Sequence, residues 1–511
     1  MESIRLKNFR CFEDTGDIEI RPLTFLVGAN SSGKSSFLKL FPLLKQSLGT
    51  RRHGVLLWNI ENGVDFCDFK NTLRDDSNVM TLSFTLGGIP MSNRVRYRSS
   101  PEKHTKSGKI NVSISLKQRK SNKSPEYISD IALQFNEQSV FIEFTENDGV
   151  KSFVINDLNI CDIIKVLSWD SVMLIPDLLF WDGENEHMIS SEFPLNNHKL
   201  LELMGIENEV SENSETGETL IQKIREAFNC GLIGSPVYID NELRPLIGRE
   251  INHLNELYIA YNINGIINSI NMLLMGLTRN TSYVEPLRAV AQRYYRMQNL
   301  ANDEISPDGT NLAMFLFNLE SKQLTSFNKW INDLFGFRIK LKATDGHVQI
   351  MIQKDRKERN MTDVGFGYSQ ILPILAIIWN NAINPNKKIR GLYQSLSNIH
   401  LIVIEQPELH LHPRFISDFA DMLAKIVKDY TTRSKKIKFI IETHSSILIE
   451  RICQLIGEGE SIKNSDVNIL LFNAKQEGME QYITPAKITS DGYLTNWPYG
   501  FFSGDKPFVT C

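Results

Sequence analysis

The sequence predicts an α/β fold whose central sheet is assembled from two distant parts of the chain. Three observations predict it. A glycine-rich turn, Gly28 to Ser35, lies between an apolar run (Leu23, Phe25, Val27) and a helical pattern (Phe37, Leu38, Phe41, Leu44). Two later apolar runs read as buried strands: Leu401 to Ile404, a parallel strand with a carboxylate at its end, and Phe439 to Ile441, whose end presents Thr443 and His444. Between these parts, residues 79–155 alternate with period two, the pattern of a mostly antiparallel meander.

Taken in order, Ile4, Leu6 and Phe9, then Ile18, Ile20, Leu23, Phe25 and Val27, predict opening strands that deliver the chain to the glycine turn. The meander is expected at Thr81 to Leu86, Val95 to Arg98, Ile110 to Leu116, Ile131 to Phe135 and Val140 to Phe144. Leu158 to Leu277 is mainly helical in pattern, broken by a polar, acidic stretch from Glu207 to Glu218. From Tyr283 short strands alternate with helices until about Leu471, and an aromatic tail, Trp497 to Phe502, closes the pattern. The expected division is an amino-terminal lobe over 1–77, a β subdomain over 78–155, a helical insertion over 156–280, a carboxyl-terminal lobe over 281–472 and a tail over 473–511.

Composition bounds the function. With 511 residues, 42% hydrophobic, and a formal net charge of -4, the chain has an ordinary core and no global basic field. Local basic runs exist at Lys103 to Lys123 (with Lys106, Lys109, Lys117, Arg119 and Lys120), at Arg433, Lys435, Lys436 and Lys438, and at Arg51 and Arg52. They are either solvated loops or a salt-sensitive, sequence-independent DNA contact. No apolar stretch is long enough to span a bilayer, so no membrane partner is expected. The first residues lack the plan of a signal peptide, and the six scattered cysteines suit reduced thiols in a cytoplasm.

The glycine turn carries the strongest chemistry. Gly28 and Gly33 permit a tight turn, and N–H groups along Asn30, Ser31, Ser32, Gly33, Lys34 and Ser35, with Ser36 opening the helix, point at phosphate oxygens. Lys34 offers a point charge to the β/γ-phosphates and Ser35 a hydroxyl to Mg²⁺, so ATP and Mg²⁺ are the expected ligands. Glu405, ending the run Leu401 to Ile404, is placed to hold Mg²⁺ or its water shell. Thr443 and His444 follow the next apolar run; His444 either senses a γ-phosphate or is incidental to a Ser/Thr helix cap. Gly365, Gly367 and Ser369 form a turn feeding the apolar helix that begins at Ile371, where N–H groups could meet a phosphate.

These four motifs, in this order, resemble the ABC-type ATPases of the RecF, Rad50 and SMC class. Gly28 to Ser35 matches the Walker A loop and Ile404 to Pro407 the Walker B strand; Gly365 to Gln370 stands at the signature motif and His444 at the switch histidine. Leu6 to Phe12 looks like the family's opening strand. The resemblance implies a split P-loop NTPase head, two ATPs clamped between two heads, and a head-to-tail homodimer or larger oligomer. The run Glu405 to Pro413 and the tail Trp497 to Phe502 look more narrowly like the bacterial OLD-like and PtuA-like group. That likeness implies phage defence beside a separately encoded effector such as an HNH nuclease. Too few acidic motifs follow His444 for a Toprim nuclease within the chain.

One departure matters. The family pattern places a catalytic glutamate after the metal-associated acid, and here Gln406 occupies that position. An amide cannot take a proton from attacking water, although it can orient that water. Slow hydrolysis and a long-lived ATP-closed dimer are therefore expected. Glu408 is either the substitute base or a cap on the next turn. His410 and His412 with Glu408 form either a metal site or part of the dimer interface. Arg288 and Arg293 either reach phosphate or a partner head, or form ordinary ion pairs. Asp65 and Asp68 fall where the family carries a glutamine, with none present to match it.

Overall fold

A computed structural model describes residues 1–60, 63–89, 108–120, 126–135, 137–162, 165–169, 172–181, 201–205, 222–224, 252–298, 304–384, 399–431, 436–473 and 483–497. The chain divides into two compact units, residues 1–18 with 46–275, and residues 19–45 with 276–511.

The second unit is built on a six-stranded sheet in the order Thr281–Val284, Ile399–Glu405, Lys436–Glu442, Leu23–Gly28, Val467–Phe472, Ile483–Pro485. Neighbours run parallel except the last pair. Leu23–Gly28 and Val467–Phe472 are buried at every position, as strands covered on both faces must be. The apolar helices Phe366–Ile378, Pro413–Thr431 and Ser446–Glu458 contribute to that cover. Phe327 and Trp379 meet edge to face in the same core. A smaller antiparallel sheet, Tyr295–Arg296, Arg338–Thr344, His347–Lys354 and Lys357–Asn360, belongs to this unit too. The order of the large sheet is what positions the site. One strand, Lys436–Glu442, lies between the strand entering the glycine turn and the strand ending in Glu405, so the carboxyl ends of three strands converge.

Gly28 sits where Leu23–Gly28 crosses closest to Val467–Phe472. A Cβ there would stand 2.3 Å from the Phe472 carbonyl oxygen and 2.9 Å from the Phe472 Cβ. Backbone on both sides is fixed by the ladder, so the clash cannot relax by a side-chain swing. Gly28→Ala is expected to destabilise the protein without nucleotide by about 1–3 kcal/mol or more, read as a lowered thermal midpoint; an unchanged midpoint would contradict the packing.

The first unit holds an antiparallel sheet. Val79–Ile89, Gly108–Gln118, Glu126–Phe135, Gln138–Phe144 and Val150–Ile155 succeed one another as the meander that the alternation predicts. The expected strand at Val95 to Arg98 lies outside the described residues. Ser3–Phe9 pairs antiparallel with Val79–Ile89. The opening strand thus joins the meander and not the parallel sheet, and its alternating burial, against the complete burial of Leu23–Gly28, shows why. One covered face suits a one-sided sheet.

Within the span expected to be helical, Lys165–Trp169 and Asp177–Trp181 form a hairpin. The long helix Leu254–Arg279 follows. On that helix Asn264 and Asn271 each clamp both backbone groups of one partner, Leu178 and Ile175, at 2.7–3.1 Å. Buried amides of this kind replace the strand partner an edge would otherwise lack. The acidic break at Glu207 to Glu218 lies outside the described residues. No described helix is long and apolar enough to cross a membrane.

Candidate phosphate and metal site

The glycine turn leaves the strand at Gly28, bends through Ser31 and Gly33 at positive φ (63° and 93°), and enters the helix Lys34–Ser47. Ala29, Asn30 and Ser31 are exposed, whereas Lys34 is 3% exposed. The Lys34 ammonium has three protons to place. It donates to the carbonyls of Gly28 (3.0 Å) and Ala29 (2.7 Å) and, at 3.4 Å, to Ser32 Oγ. Its counter-ion is Glu442, 3.9 Å away. Burial lowers the Lys34 pKa and Glu442 opposes that shift.

Glu442 is a residue to which motif reasoning assigned no role. It ends the strand Lys436–Glu442, in register with Glu405 on one side and Leu26 on the other. Its Oε2 accepts the Ser35 hydroxyl proton at 2.9 Å. Burial raises its pKa, while Ser35 and Lys34 pull it down. The usable signal was present: an apolar strand closing on an acid, the same pattern that pointed to Glu405.

Glu405 itself is 3% exposed, and its Oε1 accepts a short hydrogen bond from the Tyr283 hydroxyl. Burial pushes its pKa up to about 7; the Tyr283 bond works against this, and the neighbouring Glu442 adds to it. Tyr283 is also a residue the motifs did not single out; it pairs with Val403, two places before Glu405, in the adjacent parallel strand.

Gln406 turns the chain at φ 42°, with its N–H on the Glu442 carbonyl (2.9 Å). Beneath this bend lies Arg288, 4% exposed, which donates through Nη2 to the carbonyls of Glu405 and Gln406, both at 2.9 Å. Its Nε and Nη1 have no hydrogen-bond partner among the described residues; burial lowers its pKa to about 10, and the charge of Glu408 works against that. Arg288 therefore braces the bend instead of forming a salt bridge with an acid. Arg293 pairs with Asp363 at the surface.

Both oxygens of Glu408 are in use. Oε2 accepts from Thr443 Oγ1 at 2.9 Å and Oε1 from the His444 N–H at 2.7 Å, tying the two strand ends together. His444 is exposed; burial of its ring and the nearby Lys34 charge lower its pKa, so it is neutral at pH 7. Ser445 caps the following helix by accepting from Leu448.

The turn at Gly365 packs on the segment after Glu408. A Cβ at Gly367 would stand 3.2 Å from the His410 carbonyl, and the Phe366 ring meets His410 edge-on at 4.8 Å. Ser369 is buried and donates to the Phe366 carbonyl at 2.7 Å. His412 accepts from the Arg414 N–H. With His410 on Phe366 and Glu408 on the His444 turn, these three do not assemble, and no group of three metal-ligating side chains occurs among the described residues.

The other sequence candidates serve local structure. Asp68 caps a short helix through the Asn71 N–H, and Asp65 accepts from Cys67. Arg52 is spent on the carbonyls of Ser47, Thr50, Val55, Val172 and Met173. In the basic run, Lys109 pairs with Glu2 and Arg119 with Asp148, while Lys103, Lys106 and Lys123 lie outside the described residues. Arg433 and Lys435 lie outside them as well; Lys438 donates to the Ile20 carbonyl.

A family described as AAA ATPase domain matches residues 1–449, and one described as a protein of unknown function (DUF3696) matches residues 462–503. No curated protein matches the chain. Among solved structures, the Smc head domain with an extended coiled coil, bound to the C-terminal domain of ScpA, from Pyrococcus furiosus is 12% identical. It covers 95% of each chain at a TM-score of 0.35. The SMC head domain from Thermotoga maritima is also 12% identical, covering 95% of this chain and 99% of that one at a TM-score of 0.34.

Proposed function

The chain belongs to the AAA ATPase domain family, and from that premise we propose that it is a slow, Mg²⁺-dependent ATP clamp. In this reading two copies close head to tail over ATP and scaffold or restrain a separately encoded effector, such as an HNH nuclease, in bacterial defence against phage.

The donor set fits Mg²⁺. Ser35 and Glu405 offer hard oxygens at the ends of neighbouring elements, too few for a self-sufficient cage. Mg²⁺ commonly takes its remaining ligands from phosphate and water. When bound it supplies neutralisation of phosphate charge. Lys34 turns from the carbonyls of Gly28 and Ala29 toward the β/γ-phosphates, and the N–H groups of Asn30 to Ser36 surround them. Glu405, once ionised, would hold the metal's water shell. Gln406 orients the attacking water by hydrogen bonds, and His444, neutral and exposed, faces the γ-phosphate. Gly365, Gly367 and Ser369 complete the site of the opposite copy.

The observation that carries the slow clamp is the state of the three residues after the Walker B strand. Gln406 has no carboxylate, and Glu408 has both oxygens committed to Thr443 and His444. A missing general base costs about 10²–10⁴-fold, which puts turnover near 10⁻¹–10⁻³ s⁻¹ against a typical 10 s⁻¹. Leu287 and Val290, 78% and 67% exposed beside the Arg288 brace, support burial against a second copy.

Single-turnover hydrolysis together with light scattering tests this. The expected result is an ATP–Mg²⁺-dependent dimer that outlives many minutes of incubation. Fast turnover in wild type that is lost with Glu408→Gln would make Glu408 the base and end the slow-clamp reading. Salt-sensitive DNA binding by the isolated chain would favour a RecF-like repair role. Dimerisation without any turnover would favour an ATP-sensing module.

A further inference from the structure

This inference rests on the ATP–Mg²⁺ reading and concerns Glu442. We infer that Glu442 is a positioning residue for the metal: by accepting the Ser35 hydroxyl proton it aims the oxygen's lone pairs at Mg²⁺.

A serine hydroxyl has one proton and two lone pairs and rotates freely unless its proton is committed. In this chain the proton goes to Glu442 Oε2 at 2.9 Å, a charge-assisted bond. With the donor direction taken, Ser35 Oγ faces the phosphate side as an acceptor only, which is what a metal ligand must be. Carboxylates that orient metal ligands from behind in this way raise both ligand basicity and site rigidity.

The bland alternative is that Glu442 exists to neutralise Lys34. The distances argue against it. Lys34 has three protons, and its three hydrogen-bond acceptors are Gly28 O, Ala29 O and Ser32 Oγ. Glu442 lies 3.9 Å from the ammonium and 2.9 Å from Ser35. The hydrogen bond is to serine; the lysine contributes field alone.

Glu442 is also held as a positioning residue has to be. It is 3% exposed, lies between two parallel strands, and its carbonyl accepts the Gln406 N–H. Glu405 cannot stand in for it, because the Glu405 carboxylate takes its orientation from Tyr283 on the far side. The two acids divide the work: Glu405 faces the water shell and Glu442 sets the serine.

The test uses the full chain, a fluorescent ATP analogue and titrated Mg²⁺, with Mn²⁺ paramagnetic resonance as a second readout of metal binding. Glu442→Ala is expected to weaken the apparent metal affinity of the nucleotide complex by about 10–100-fold. Glu442→Gln should fall between this and wild type, since its amide oxygen still accepts a proton without charge assistance. Because Glu442 is also the counter-ion of Lys34, metal-free nucleotide binding can shift, but by less than the metal affinity does. In a Ser35→Ala background Glu442→Gln adds no further loss, because the two act as one unit. Unchanged metal dependence in folded variants overturns the inference alone, as does an equal loss with and without metal. If Glu442→Ala does not fold, the near-isosteric Gln variant carries the comparison. Failure of the wild-type chain to bind the analogue at all overturns the ATP reading and this one with it.

Discussion

Replacing Lys34 with alanine is expected to lower ATP turnover by about 10²–10³-fold, the cost of removing one preorganised charge from a transition state. The ammonium is poised for this. It is 3% exposed, at the base of a turn in which Ala29, Asn30 and Ser31 are exposed, and burial already lowers its pKa. Lys34→Arg should not rescue, because the ammonium fits between the carbonyls of Gly28 and Ala29 as a compact point, whereas a guanidinium is a planar fork. The substitution also leaves Glu442 buried without its cation. The thermal midpoint without nucleotide therefore falls, and falls less at low pH, where protonation removes the stranded charge. Steady-state kinetics and melting curves at two pH values check both parts. Wild-type turnover in Lys34→Ala would refute the assignment.

The second large effect is a pH dependence with its origin in Glu405. Its folded pKa is about 7, against an ordinary 4.5, chiefly because of burial. Between those values the folded protein holds a proton that the unfolded chain has released, so stability falls as pH rises across this window and levels above about pH 7. The contribution is about 3 kcal/mol. Glu442 and Glu408, also raised by burial, act in the same direction. His444, whose pKa is lowered, acts oppositely and only at and below its ordinary 6.5. Metal binding runs the other way from stability, because Mg²⁺ competes with the Glu405 proton: its affinity in the nucleotide complex rises with pH and levels above about 7. Glu405→Gln flattens the Glu405 part of both curves. Tyr283→Phe moves them upward, since the Tyr283 bond is what restrains the shift. Denaturant unfolding and Mg²⁺ titration between pH 5 and 8 decide it. A metal affinity independent of pH would remove Glu405 from the metal's surroundings.

The glycine turn was legible because its chemistry is contiguous. Gly28, Gly33, Lys34 and Ser35 lie within eight residues, and the strand before and helix after them are written in local periodicity. The meander was legible for the same reason, since alternation is a property of each strand alone. Which sheet Ser3–Phe9 joins was not legible, because its three apolar positions suit a strand of either sheet; the feature separating the two is whether the second face is covered, which lies outside the strand. The hairpin at Lys165–Trp169 and Asp177–Trp181 went unseen within a span that reads as mainly helical, its strands being too short for periodicity to discriminate.

By itself, the sequence determined the class of fold and singled out the glycine turn and Gln406 as candidates for the site. Tertiary structure alone decided which side chains meet there. Glu442 reaches Ser35, Tyr283 reaches Glu405, and Arg288 braces Gln406 because the strand Lys436–Glu442 lies between two others from distant parts of the chain. Apolar runs show that a strand is buried, but backbone ladders are alike for all of them. Strand order is set by packing and connection over the whole unit, so neighbours across the sheet cannot be read from any one segment.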